Sequence, residues 1–187
     1  MDFNTVISKY KVSEYKELSQ KPDSGVYLMS RGEEDCFVLR IYSHEMPVYE
    51  MLKKQGYKGF PQVYDCRWED EFFVVEEQFV DGVSLQEMID GGEKMDEKRA
   101  MNITAKTCNA LDLLHRSGFI HRDVKPEHVM MNQQGEIFLI DLDAAMRIEP
   151  GKRNDTRVLG TAGYAAPEQF GLTRSDIRTD IYAVGIL

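Results

Sequence analysis

The stretch FIHRDVKPEHVMMNQQGEIFLIDLDAA, residues 119–145, decides the fold because it places charged groups beside short apolar runs. Asp123 lies two residues before Lys125, and Asp141 directly follows the apolar run at 137–140. The first carboxylate can orient a hydroxyl or accept its proton, the lysine can neutralise an anionic group, and the second carboxylate suits Mg²⁺. Each residue alone could form a surface ion pair on a loop. Their joint spacing favours phosphoryl transfer instead.

The composition is typical of a globular protein that does not bind nucleic acid. The chain has 187 residues, of which 42% are hydrophobic and 29% charged, enough for one core or two small lobes. Acidic residues outnumber basic ones by 32 to 23, and the net charge of −9 disfavours binding to nucleic acid or an anionic membrane surface. No apolar window resembles a secretory signal or a membrane span, which predicts a cytoplasmic location. The cysteines Cys36, Cys66 and Cys108 form no CxxC pair, which argues against a zinc site or a disulfide framework.

The first 80 residues show the pattern of a small antiparallel sheet carrying one helix. Residues 25–42 predict two strands joined by a polar turn, and residues 62–80 predict two more around an acidic turn at 69–71. A short helix is predicted between these pairs, from about Pro47 to Gln55. Proline suits a first helical turn, and Gly56 suits the position just past a helix end.

After residue 82 the pattern becomes mainly helical. The predicted elements are helices at 84–90 and 95–117, strands at Val129–Met131 and Ile137–Ile140, and an apolar helix that opens at Asp180. In the second helix, an apolar stripe is predicted from four residues: Met101, Ala105, Cys108 and Leu111.

Four motifs resemble those of bacterial, Hanks-type Ser/Thr protein kinases. HRDVKPEHVM at 121–130 resembles the catalytic loop, and IDLD at 140–143 resembles the segment that usually reads D-F-G. GTAGYAAPE at 160–168 resembles the end of an activation segment, and RTDIYAVG at 178–185 resembles the helix whose Asp anchors the catalytic loop. The resemblance implies an α+β, protein-kinase-like fold of two lobes. The N-lobe would span 1–80, and a truncated, mainly helical C-lobe would span 81–187.

The resemblance also implies a catalytic role for several residues. Asp123 would orient the acceptor hydroxyl and take its proton, and Lys125 would contact the transferring phosphoryl group. Thr161 would support both of these side chains, and Asp141 would bind Mg²⁺ that bridges the ATP phosphates.

Regulation would involve Arg122, which in this family receives charge from the activation segment. That charge would come from a phosphate on Thr156 or, equally, from the fixed carboxylate of Asp155.

The implied ATP site draws on residues before and after the linker between the lobes. The backbone of Gln78 and Val80 would hydrogen-bond adenine, and Glu77 stands at the gatekeeper position. The remaining members are Val26, Val38 and Met130 around the adenine ring, and Arg40 in place of the family's third-strand lysine.

Several positions depart from the family pattern. His128 replaces an Asn that binds the second metal ion, and its imidazole suits Mn²⁺ or Zn²⁺ better than Mg²⁺. Residues 19–24 read SQKPDS where a glycine-rich loop is expected. Val48 stands where a helix glutamate is expected, and its apolar surroundings predict that it packs inward. Glu45 is therefore the expected partner of Arg40.

The main reading is a Ser/Thr protein kinase, active or weakly active, that uses ATP and Mg²⁺ or Mn²⁺ on a protein substrate. The departures leave open a pseudokinase, a regulatory binding module with impaired nucleotide handling. A small-molecule kinase of the aminoglycoside-phosphotransferase type fits less well, because it has no use for the GTAGYAAPE segment. Apolar residues in the last helix, at 181–187, predict a homodimer formed through the C-terminal region.

Overall fold

The computed structural model, which describes residues 3–32, 35–148, 161–170 and 174–187, divides the chain into two units. The first unit comprises Met1–Gly56 and Pro61–Phe79, and the second comprises Tyr57–Phe60 and Val80–Leu187. Within the described residues, no helix is both long enough and apolar enough to cross a membrane.

The first unit is built on a five-stranded antiparallel sheet with two helices. Its elements are α1 (Asn4–Ile7), β1 (Glu14–Lys21), β2 (Ser24–Ser30), β3 (Cys36–Tyr42), α2 (Pro47–Gln55), β4 (Val63–Glu69) and β5 (Phe72–Gln78). The strands lie in the spatial order β1-β2-β3-β5-β4. The predictions of β2 to β5 and of α2 are confirmed. Gly56 ends α2 in the left-handed region, at φ 57°, as its position after the helix predicts.

The strand β1 is not predicted from the sequence, because all eight of its residues are exposed. Such a strand lacks the in–out alternation that identifies a half-buried one. Its register pairs Lys21 with Ser24, which leaves Pro22 and Asp23 as a two-residue turn. Residues 19–24, where the resemblance implies a glycine-rich loop, therefore form the end of a tight hairpin.

An N-terminal segment covers one face of this sheet. Phe3, Val6 and Ile7 are each less than 5% exposed. They share one core cluster with the sheet residues Tyr27, Met29, Phe37, Leu39, Ile41, Phe72 and Val74. The rings of Phe3 and Phe72 meet edge to face, with centroids 5.4 Å apart. Because α1 has only four residues, it is too short for helical periodicity to reveal it in the sequence.

Among its described residues, the second unit combines three α-helices with two small sheets. Its elements are β6 (Gly82–Ser84), α3 (Leu85–Asp90), α4 (Glu97–Arg116), β7 (Phe119–Ile120), β8 (Val129–Asn132), β9 (Ile137–Leu139), β10 (Met146–Arg147) and α5 (Ile177–Ile186). The strands pair as β6-β8-β9 and as β10-β7. The predicted helices and the strands β8 and β9 are confirmed, and α5 begins three residues before the predicted start at Asp180.

The predicted apolar face of α4 is confirmed at Leu111 and wrong at Met101 and Ala105. Met101 is 64% exposed and Ala105 is exposed, while the inward side chains are Ile103, Thr107, Ala110, Leu111 and Leu114. Thr107 can occupy this face because its hydroxyl donates a 3.0 Å hydrogen bond to the carbonyl of Ile103. A polar residue therefore lies at the centre of the buried stripe, which a search for apolar residues alone does not reveal.

The segment Tyr57–Phe60 belongs to the second unit, although it lies between two elements of the first. The carbonyl of Gly59 accepts a 2.7 Å hydrogen bond from the amide of Leu139. Gly59 has φ 88°, and a Cβ there would lie 2.8 Å from the Cβ of Ala110. The Tyr57 hydroxyl lies 2.7 Å from the Ser117 hydroxyl. Only glycine fits this close approach of the segment to α4.

Candidate active site

The loop that follows β7 is held in place by a buried carboxylate from α5. Asp180, fully buried, accepts hydrogen bonds from the backbone amides of His121 at 2.9 Å and Arg122 at 2.8 Å. His115 Nε2, from the end of α4, lies 2.7 Å from Asp180 Oδ2. The prediction that Asp180 holds the backbone of this loop is confirmed. Asp180 therefore fixes the start of the segment that carries Asp123.

Two residues of the site have a left-handed backbone. Arg122 has φ 71° and Asp141 has φ 61°, a region that costs free energy for residues other than glycine. Arg122 is held there from both sides, since its amide binds Asp180 and its carbonyl accepts a 2.7 Å hydrogen bond from Gln169 Nε2. The Arg122 side chain is buried, with Nη1 at 3.5 Å from Met146 Sδ. Such outliers concentrate at functional sites.

Asp123, Lys125 and Thr161 form one hydrogen-bonded cluster. The Thr161 hydroxyl donates to Asp123 Oδ1 at 2.8 Å and accepts from Lys125 Nζ at 3.0 Å. Lys125 Nζ also lies 3.2 Å from Asp123 Oδ2. Both carboxylate oxygens of Asp123 are thus oriented, and a positive charge lies beside them. The cluster can accept a proton at Asp123 and stabilise an anionic group at Lys125.

The imidazole of His128 contacts both Asp123 and Asp141. Its Nδ1 lies 2.8 Å from the Asp123 carbonyl oxygen, which can only accept, so Nδ1 donates. Its Nε2 lies 3.3 Å from Asp141 Oδ2. Nε2 therefore either shares a second proton with that carboxylate or offers its lone pair to a cation.

Asp141 and His128 together suit a divalent cation that takes its other ligands from phosphate and water. No group of three or more His, Cys, Asp or Glu in the described part of the chain is placed to hold a metal ion by itself. Magnesium in phosphoryl-transfer sites is bound through one or two carboxylates and substrate phosphates. The Asp141 carboxylate fits that pattern, whereas the His128 nitrogen favours a softer cation than Mg²⁺.

His121 is a part of the site to which the sequence analysis assigned no role. Complete burial lowers the pKa of its imidazole, which favours the neutral ring. Nδ1 accepts a 3.3 Å hydrogen bond from the amide of Asp123, so Nε2 carries the hydrogen toward the Ile140 carbonyl at 3.2 Å. His121 therefore joins the backbone beside Asp123 to the residue that precedes Asp141. Its place directly before Arg122 and Asp123 is the signal that could have revealed it.

In the first unit, the expected partner of Arg40 is wrong. Arg40 Nε donates to Glu77 Oε1 at 2.6 Å, and Glu45 is exposed. Arg40 lies on β3 and Glu77 on β5, and these strands are neighbours in the sheet. The prediction that Val48 packs inward is confirmed, because Val48 is only 2% exposed. A carboxylate from a neighbouring strand thus takes the place of one from α2.

Four of the residues predicted to bind ATP share one face of the sheet. Val26 pairs directly with Arg40, and Val38 pairs directly with Glu77. Since Val38 and Arg40 are two residues apart on one strand, all four side chains point to the same side.

Of the other predicted ATP-site residues, Gln78 ends β5, and its backbone amide donates to the Gln62 carbonyl at 2.8 Å. Val80 is buried in the second unit, where Met130 lies on β8.

Residues 40–187 match the protein kinase domain family. The chain belongs to this family. The match includes the loop from His121, the segment at Asp141, and the helix α5 with Asp180. The fold of a kinase domain, with an antiparallel sheet followed by a mainly helical part, agrees with the two units described above.

Curated relatives of this kinase chain include bacterial serine/threonine-protein kinases. The chain is 36% identical over 111 residues to serine/threonine-protein kinase PknB of Mycobacterium tuberculosis, covering 58% of this chain and 18% of that protein. It is 34% identical over 113 residues to a probable serine/threonine-protein kinase of Streptomyces coelicolor, and the match covers 59% of this chain and 17% of that protein. A probable serine/threonine-protein kinase PknB of Lactococcus lactis is 28% identical over 161 residues, and the match covers 86% of this chain and 25% of that protein. The chain thus spans a quarter or less of the length of these relatives.

One predicted regulatory residue of the kinase chain, Thr156, lies outside the described residues, as does Asp155.

Gln169 is a further residue of the site that the sequence did not reveal. Its amide nitrogen donates to the Arg122 carbonyl at 2.7 Å, and its side-chain oxygen accepts from the Ala166 amide at 3.0 Å. It follows directly after the motif GTAGYAAPE, which is the signal that could have identified it.

Proposed function

We propose that this chain is the catalytic domain of a Ser/Thr protein kinase, which transfers the γ-phosphate of ATP to a hydroxyl of a protein substrate. The observation that carries the proposal is the cluster of Asp123, Lys125 and Thr161. It supplies an oriented carboxylate and a fixed ammonium group within one hydrogen-bonded set. These are the groups that phosphoryl transfer to a hydroxyl requires.

Each member of the cluster has a distinct role in the proposed reaction. Asp123 orients the acceptor hydroxyl and takes its proton, since its carboxylate is held by two donors and accessible to a third. Lys125 stabilises negative charge on the transferring phosphoryl group, from a position fixed by Thr161. Thr161 keeps the carboxylate and the ammonium group at one point, which lowers the entropy cost of assembling the reactants.

Protein kinases use ATP and a divalent metal ion in general, and a bound cation would neutralise charge on the ATP phosphates. In this chain, Asp141 and His128 are the residues proposed to hold it. Asp141 Oδ2 and His128 Nε2 lie 3.3 Å apart, so one cation could be reached by both. We infer that Mn²⁺ supports activity at least as well as Mg²⁺, because imidazole is a poor ligand for Mg²⁺.

Adenine is proposed to bind the face of the sheet that carries Val26 and Val38, beside the backbone of Gln78. The support is the shared face of Val26, Val38, Arg40 and Glu77. Regulation is proposed to act through Arg122 and a negative charge from the activation segment, either a phosphate on Thr156 or the carboxylate of Asp155. A cytoplasmic location is proposed as well, with protein rather than nucleic acid as the substrate.

Self-association through α5 is a further proposal. Its support is the exposure of four large apolar side chains on this helix, between 44% and 54%: Ile177, Ile181, Tyr182 and Ile186. Light scattering over a concentration series tests it. A rise in mean mass that Ile181→Ser abolishes would support a homodimer, and a constant monomer mass would contradict it.

The proposed function is tested by phosphoamino-acid analysis. The chain is incubated with γ-labelled ATP, Mg²⁺ or Mn²⁺, and an equimolar mixture of peptides that carry Ser, Thr or Tyr as the only hydroxyl. The proposal expects label on Ser and Thr and little on Tyr. No label on any peptide or on the chain itself, although ATP raises the melting temperature, would favour a pseudokinase.

A further inference from the structure

Arg40 and Glu77 form a charged pair inside the first unit. Arg40 Nε lies 2.6 Å from Glu77 Oε1, and the two residues are only 5% and 4% exposed. Burying two charges carries a large desolvation cost, which the ion pair itself only roughly offsets. Stability alone is therefore a weak reason for an ion pair at this position. The residues around the pair indicate a role in nucleotide binding instead.

The pair lies on the face of the sheet that the proposed function assigns to the nucleotide. Val26 is the direct strand partner of Arg40, and Val38 is that of Glu77. Nucleotide phosphates carry negative charge, and a guanidinium group binds phosphate oxygens through paired N–H groups. Arg40 is thus a cation of the right chemistry on the proposed nucleotide face.

We propose that Glu77 is a positioning residue, which orients Arg40 to bind the phosphates of the nucleotide. The proposal rests on the proposed function. Because Glu77 holds Nε, the plane and direction of the guanidinium group are set before any phosphate arrives. A pre-oriented arginine loses less conformational freedom on binding than a mobile one.

The source of this carboxylate sets the chain apart from the arrangement that the sequence analysis expected. Glu45, near the start of α2, is exposed, and Val48 on α2 is a buried apolar residue. Glu77 instead belongs to β5, which is hydrogen-bonded along its length to the strand of Arg40. The orientation of Arg40 therefore depends on the sheet and requires no charged residue from α2.

The test compares the binding of ATP and adenosine to the whole chain by isothermal titration calorimetry. In Glu77→Met, the side chain keeps a similar length but loses the carboxylate. We expect the affinity for ATP to fall about tenfold, since an oriented charge-assisted contact is lost. The affinity for adenosine, which has no phosphate, should change less than about twofold. The readout is the ratio of the two affinities.

Other roles for Glu77 predict other results. If Glu77 only neutralises Arg40, removing its negative charge raises the ratio of ATP to adenosine affinity. If its role is purely structural, both affinities fall together and the ratio stays constant. Either result would overturn the proposal. If the wild-type chain binds ATP no better than adenosine, the proposed ATP site is wrong as well. The wild-type measurement therefore distinguishes a failure of the proposed ATP site from a failure of the role proposed for Glu77.

Two further variants complete the test. Glu45→Met makes the same chemical change at the exposed residue that the sequence favoured, and its ratio should equal that of the wild type. If Glu77→Met does not fold, as judged by circular dichroism, Glu77→Gln replaces it, since the amide keeps the volume but holds Arg40 only through a neutral hydrogen bond. A lower ratio in that variant supports the proposal, and an equal or higher ratio overturns it.

Discussion

Thr161 follows Asp123 by 38 residues, and its hydroxyl donates a 2.8 Å hydrogen bond to Asp123 Oδ1. The same hydroxyl accepts a hydrogen bond from Lys125 Nζ at 3.0 Å. One small side chain from a distant part of the sequence therefore connects the proposed base to the proposed phosphate-binding cation.

Removing this hydroxyl should slow phosphotransfer while leaving nucleotide binding unchanged. In Thr161→Ala, Asp123 and Lys125 lose their common partner, and we expect the turnover number to fall by about tenfold to a hundredfold. Thr161→Ser keeps the hydroxyl and should retain most of the activity. Steady-state kinetics with a peptide acceptor measures the turnover numbers of both variants. Equal rates for the two variants would show that the hydrogen bonds of Thr161 do not matter to catalysis.

Asp180 should contribute strongly to the stability of the second unit. Asp180→Ala leaves the buried amides of His121 and Arg122 without their acceptor, which we expect to cost about 3 kcal/mol in the free energy of unfolding. Asp112→Ala removes an exposed carboxylate and should cost less than about 0.5 kcal/mol. Urea denaturation followed by circular dichroism measures the difference. Similar midpoints for both variants would contradict the anchoring role of Asp180.

The N-terminal segment should be an integral part of the first unit. Phe3 is 3% exposed and packs on Phe72, so we expect Phe3→Ala to cost about 3 kcal/mol in the free energy of unfolding. Thr5→Ala, at an exposed position of α1, is the matched control. Thermal unfolding monitored by near-ultraviolet circular dichroism compares them. A wild-type melting temperature for Phe3→Ala would mean that the segment is not docked on the sheet.

Buried His121 should make the protein less stable in mild acid. Because burial lowers its pKa in the folded state, the unfolded state binds a proton first as the pH falls through about 6.5. Stability is therefore full above this pH and declines below it, at about 1.4 kcal/mol per pH unit for one proton. His121→Gln should show a shallower decline between about pH 6.5 and pH 5. His44→Gln, at an exposed position, should retain the wild-type pH dependence.

Strong periodicity and motif spacing account for what the sequence predicted. The strands β2 to β5 alternate or are continuously apolar, and α2 is marked by Pro47 and Gly56 at its ends. The proposed catalytic cluster could be anticipated because Asp123, Lys125 and Thr161 lie in recognisable motifs. In each case a local pattern in the sequence was enough to predict the element or the residues of the site.

The features that the sequence did not predict depend on distant parts of the chain. The partner of Arg40 follows from the strand order β3-β5-β4, in which β5 lies between two strands that precede it. Chain order does not reveal this arrangement, so Glu45 near the start of α2 was the expected partner in place of Glu77. The buried face of α4 depends on a hydrogen bond of Thr107. Strand β1 packs no side chain into the core and so leaves no hydrophobic pattern.

The central claim is that Asp123 takes the proton of the acceptor hydroxyl, and its most direct test is the phosphotransfer rate of Asp123→Asn. The amide keeps the shape of the side chain but cannot act as the base. We expect transfer from γ-labelled ATP to fall at least about a hundredfold while ATP affinity, measured by calorimetry, stays within about twofold of the wild type. Asp112→Asn, on the exposed surface of α4, should transfer phosphate at the wild-type rate. Undiminished phosphotransfer by Asp123→Asn would contradict the account.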